Sequence, residues 1–175
     1  MKIKTLAIAL FLITGVLNVK AQISPADIAK EWERSKAYTK EYLEAMPEAS
    51  YGLKPTPEMR SFAQQMLHLA DANYGLGSLA IGSKAPSAPG ELEKSVDQSK
   101  ANVIRIVMES YDFVINGASK MTPTQLNERI KLFDQFEMNR ETALGKTLEH
   151  QAHHRGQTTV YLRLAKVIPP QEKLF

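Results

Sequence analysis

The sequence predicts an all-α fold, a four-helix bundle preceded by a cleavable export signal. Three observations carry this expectation. Apolar and small side chains recur in steps of three and four along four segments, capping residues head most of those segments, and no confident sheet pattern intervenes. A chain of 175 residues has the length of one domain, typically about 100–200 residues, and can bury a core without staples. Hydrophobic residues make up 43% and charged residues 23%, which excludes a wholly disordered chain. There is no Cys, so disulfides, thiolate metal sites, iron–sulfur clusters and a Cys nucleophile are excluded.

Residues 1–21 read as a signal peptide. Met1-Lys2-Ile3-Lys4 is a basic start, Leu6 to Ile13 an apolar run continuing to Leu17, and Val19-Lys20-Ala21 a small-residue cleavage site. The run falls short of the ~20 residues that a permanent membrane anchor needs. Cleavage after Ala21 predicts a secreted or periplasmic protein with no stable membrane anchor. It removes Lys2, Lys4 and Lys20 and no acid, so the 22 basic residues fall to 19, equal to the 19 acidic ones. A neutral mature chain, residues 22–175, lacks the basic surplus that nucleic-acid binding requires, so no nucleic-acid partner is expected.

Ser24-Pro25 opens the first helix, with Ser as N-cap and Asp27 in the first turn. Ile28, Trp32, Ser35, Thr39, Tyr42 and Met46 form its seam, and Pro47 stops it. Thr56-Pro57-Glu58 repeats the start signal for a second helix with Met59, Phe62, Met66, Leu69, Asn73 and Leu76 as its seam. Residues 82–90, rich in Gly, Ser and Pro, form a loop. A third helix is expected from Glu91 to Asn116, with Val96, Val103, Ile106, Val107, Ser110 and Val114 inward and Gly117 as C-cap. Between residues 118 and 138, Thr122-Pro123 starts a short turn and 129–133 alternates like a strand. Asn139 caps the last helix, which runs to Lys166 before Pro169-Pro170. Such seams would look the same facing a sister subunit, so a homodimer fits the pattern as well as a monomer.

All four histidines fall on predicted helices: His68 on the second, and His150, His153 and His154 on the last. His150 and His154, at i and i+4, share a face with Cβ atoms about 6 Å apart, close enough for two imidazoles to hold one Zn²⁺ or Ni²⁺. With Leu144, Leu148 and Leu162 inward, His150, His154, Gln157 and Tyr161 make a polar ridge beside the apolar stripe. A core helix does not repeat polar groups there without partners. On spacing alone, HxxxH on a solvated face is the more economical reading.

The element His150-Gln151-Ala152-His153-His154-Arg155-Gly156-Gln157, followed by Tyr161-Leu162-Arg163, resembles the HxxxHRGQ…YLR signature of the DinB-like (DinB/YfiT-like) proteins. Pro55 to Phe62, then His68-Leu69-Ala70 and Asn73-Tyr74, resembles the second-helix pattern of the same family. The resemblance spans roughly residues 28–170. It implies a bundle with a divalent metal held by one histidine of the second helix and two of the last, here His68, His150 and His154. His153 matches the family's non-ligand histidine. Arg155 then reads as a structural ion pair and Gln157 as a brace for a ligand.

Three neutral His ligands leave a coordination position open for water or a thiolate, whose pKa the ion would lower. Relatives include enzymes that transfer a low-molecular-weight thiol to an electrophile and others that resemble metal-dependent hydrolases, so the expected function is a metal-dependent hydrolase or thiol S-transferase acting on a small-molecule substrate. Ni or Zn is the expected ion, and His153, Gln157 and Tyr161 are candidate proton-handling or bracing groups. The alternative is a non-catalytic metal- or ligand-binding bundle. HExxH is absent, since Gln151 follows His150, and GxSxG is absent too. No Glu precedes any His by three residues, which disfavours ferritin-type chemistry.

Overall fold

The computed structural model describes residues 23–175; the expected signal peptide, residues 1–21, lies outside the described residues. Helix α1 (Pro25–Ala45) begins as its sequence dictates. Ser24 Oγ accepts from Asp27 N–H at 3.1 Å while the Asp27 carboxylate accepts from Ser24 N–H at 3.3 Å, a capping box whose loss typically costs ~1 kcal/mol. Every residue of its expected seam is buried.

Helix α2 (Phe62–Ile81) starts five residues later than Thr56-Pro57 suggests. Residues 56–59 close a turn, Met59 N–H donating to Thr56 O, and Met59 is exposed rather than on the seam. Ser61 wins as N-cap because its box with Gln64 is complete and the chain at 51–53 accepts the next donors. Phe62 N–H donates to Leu53 O, and Ala63 N–H to Tyr51 O. Gly82, in the left-handed region at φ 72°, ends the helix.

Helix α3 (Lys100–Ala118) also starts late, at Ser99 rather than near Glu91. The Asp71 carboxylate accepts the N–H groups of Leu92 and Glu93 at 3.2 and 3.0 Å, which holds Leu92–Lys94 as a 3₁₀ turn. Val96, expected inward, is fully exposed. Gly117 lies inside α3 rather than capping it. A Cβ there would meet Ile81 Cδ1 at 2.3 Å, so its role is to let α3 approach α2.

Thr122 caps a short α4 (Pro123–Asn127). The alternation at 129–133 becomes β1 (Arg129–Leu132), paired antiparallel with β2 (Phe136–Asn139) in the register Ile130 to Met138 and Leu132 to Phe136. Asn139 caps α5 (Arg140–Leu164), its side chain accepting from Thr142 N–H at 2.9 Å. The four long helices form the bundle: α1 and α2 each pack on both α3 and α5, so the pairs α1/α2 and α3/α5 lie across its diagonals. Among the described residues no helix is long and apolar enough to cross a membrane.

Candidate metal centre

The α2–α5 seam carries a cluster of histidines. His68 sits between the buried Leu67 and Leu69 at the edge of the core face of α2, and α5 brings His150 and His154 opposite it. His150 Nε2 and His154 Nε2 are 3.0 Å apart. Ring centroids lie at 4.6 Å for His68–His154 and 5.4 Å for His68–His150. One nitrogen from each ring lies within 4.8 Å of the others. His154 is buried, and the other two are half-buried.

Burial dominates the electrostatics. Desolvation, and then the neighbouring imidazoles, push His154 down to about 3 and His150 down to about 4. His68 is also lowered, by burial and then by the Arg60 guanidinium, against the opposing pull of Glu93. All three are therefore neutral at pH 7 and offer lone pairs rather than charge. His150 Nδ1 is buried and has no hydrogen-bond partner among the described residues. An uncharged, convergent imidazole set with a buried orphan nitrogen fits a borderline-soft divalent ion such as Zn²⁺ or Ni²⁺.

Around the triad the structure supplies partners that the sequence did not disclose. Glu93, on the 3₁₀ turn, accepts from Arg60 Nε at 2.7 Å with one oxygen and from His68 Nδ1 at 3.2 Å with the other. Because a carboxylate only accepts, the proton of His68 sits on Nδ1 and the Nε2 lone pair is free. Gln65, one turn before His68, lies 2.8 Å from His154 Nδ1 and donates to Gln157 Oε1; Gln157 in turn lies 3.0 Å from His153 Nε2. Each amide can present either a donor or an acceptor, so the pair can serve either tautomer of His154. The only signal for Gln65 was its spacing of three from His68, and Glu93 lies 25 residues beyond His68 with nothing linking them in the sequence.

The remaining expected residues separate. Gln157 braces His154 through Gln65. His153 is exposed, its ring edge-on to His154 at 4.9 Å. Tyr161 is fully buried and donates to Arg60 O at 2.8 Å, anchoring the segment that leads into α2 and touching none of the triad by hydrogen bond. Among the described residues Arg155 makes no ion pair. Its guanidinium donates to Ser35 Oγ and Thr39 Oγ1 at 3.0 and 3.2 Å and lies 4.5 Å over the Tyr38 ring, tying α5 to α1.

The profile of the DinB superfamily matches residues 31–158. A DinB-like protein from Bacillus cereus is 19% identical, over 85% of this chain and 97% of that one, with a TM-score of 0.73. The DinB-like protein YjoA from Bacillus subtilis is 18% identical over 85% and 96%, with a TM-score of 0.64. YfiT from Bacillus subtilis, described as a probable metal-dependent hydrolase with an unusual four-helix bundle topology, is 18% identical over 84% and 92%, with a TM-score of 0.63. These likenesses speak for the fold. No curated protein matches the sequence.

Proposed function

The chain belongs to the DinB superfamily, and we propose that it is a metal-dependent enzyme, a hydrolase rather than a thiol S-transferase, with one Zn or Ni ion held by His68, His150 and His154. The observation that carries this reading is the convergence of three neutral imidazoles at one point of the α2–α5 seam. The hydrolase choice follows YfiT, which is described as a probable metal-dependent hydrolase. It also follows the N-terminal 21 residues, read as an export signal for a secreted or periplasmic protein away from the mainly cytoplasmic low-molecular-weight thiols.

Bound there, the ion supplies Lewis acidity that polarises a carbonyl or readies a nucleophile at neutral pH. The chain's own residues do the rest. Glu93 fixes the tautomer and orientation of His68, Gln65 and Gln157 hold the His154 ring, and Arg60 places a positive charge beside the site that Glu93 partly offsets.

The test is elemental analysis of mature, tag-free protein beside His68→Ala and His154→Ala, since a polyhistidine tag would add the ligand being counted. About one Zn or Ni per chain, lost in both variants, supports the site. Turnover of a simple ester that chelator abolishes then supports the hydrolase over a non-catalytic bundle. A wild type that takes up no metal after reconstitution overturns the reading.

A further inference from the structure

Beside the histidines lies a cleft of about 740 Å³ with His68 and His150 in its wall, a volume suited to a small organic ligand. Ala72, Leu76 and Leu79 of α2 and Pro89 of the following loop make its body apolar. The polar groups along it are largely engaged already. Asp71 accepts two backbone N–H groups, and Glu93 is shared by Arg60 and His68. Lys131 and Asp134, of opposite sign, also line it.

Over this cleft stands the tip of the β1–β2 hairpin. Phe133 and Asp134 have φ of 52° and 54°, consecutive left-handed residues in a turn where Asn and Gly are the usual occupants. A Phe there is costly, and core burial does not offset the cost, because Phe133 is 70% exposed. The hairpin below is firmly seated: Leu132 is buried, and Ile130 and Met138 pack against the core. The strained backbone of the hairpin thus falls at its tip, on residues that line the cleft, a pattern that belongs to ligand clamps.

We propose that this cleft holds the apolar body of an acyl substrate, with Phe133 covering it as the specificity-determining residue and the carbonyl end directed to the histidines. The proposal rests on the metal reading above and deepens it by naming the substrate class. A zwitterionic thiol would have to strip its charged groups of water against Leu76, Leu79 and Phe133, whereas an alkyl or aryl acyl chain gains by burial there.

The test is calorimetric titration of zinc-loaded, tag-free protein with straight-chain alkyl hydroxamates, from acetohydroxamate to the decanoyl compound. These probes carry a metal-binding head and a graded apolar tail. Affinity is expected to rise about two- to fourfold per methylene until the cleft is filled. In Phe133→Asn the long tails lose that advantage while the thermal midpoint stays equal or rises, because Asn tolerates the left-handed backbone. Leu79→Lys, at a half-exposed position of the same cleft, flattens the series independently of the hairpin. Equal affinity along the wild-type series, or an undiminished slope in both variants, overturns the apolar cleft and leaves the metal reading standing. Failure of every hydroxamate to bind overturns the open-metal reading and this inference with it.

Discussion

Replacing Glu93 with Gln keeps the side chain's shape and removes its charge, which makes it a sharp probe of the histidine cluster. The carboxylate sits 3.2 Å from His68 Nδ1 and 2.7 Å from Arg60 Nε, with about a quarter of its side chain accessible. Two effects follow, of the same sign. His68 loses the charged acceptor that raises its basicity, and the Arg60 charge, which lowers all three histidines, is left without its counter-ion. Losing a carboxylate behind a ligating His typically costs 10–100-fold in metal affinity, or about 1.4–2.7 kcal/mol; the partial exposure here favours the lower half of that range. The assay is zinc competition against a chromogenic chelator at constant pH, with far-UV circular dichroism confirming that the helices are retained. Arg60→Gln removes the opposing charge and is expected to leave affinity equal or higher. An unchanged affinity in Glu93→Gln, or an equal loss in Arg60→Gln, would refute the reasoning, because the two charges would then not act in opposite directions at the ligand nitrogens.

Acid should attack the metal-free fold and the metal site together. His154 and His150 are held at about 3 and about 4, below the ordinary 6.5, so the unfolded chain takes up protons first. The stability from keeping them neutral is full above pH ~6.5 and is lost as pH falls toward the folded values. Thermal melts of metal-free protein should fall over that window more steeply than those of His150→Gln/His154→Gln. Gly117→Ala drives a methyl into Ile81 and should cost roughly 1–3 kcal/mol by urea denaturation, with no specific effect on metal binding. Arg155→Ala removes two buried hydrogen bonds and the packing on Tyr38; roughly 2–4 kcal/mol of stability should go, again by urea denaturation. Metal stoichiometry in the folded fraction should hold. A variant that keeps its stability but loses its ion would assign Arg155 to the site instead.

Elements whose cause is local are legible in the amino-acid sequence. The caps Ser24 and Asn139 open α1 and α5 because a side chain three residues from its target amide needs no tertiary help. The α1 seam is buried throughout because the step of three and four is the helix's own geometry. His150 and His154 were legible as a pair for the same reason, and His68 joined them only through resemblance to a family. What tertiary structure decided is everything set by a competitor or a distant partner. Ser61 displaced Thr56-Pro57 as the start of α2 because the chain at 51–53 satisfies the first amides there. Asp71 captured the amides of Leu92 and Glu93 and so held residues 92–94 out of α3. Gly117, which resembles a cap in one dimension, is a close-packing residue in three. Glu93, Gln65 and Arg60 reached the candidate site by the docking of α2, its flanking loops and α5. A histidine's partners are chosen by the few ångströms around its ring, which a spacing along one helix cannot encode.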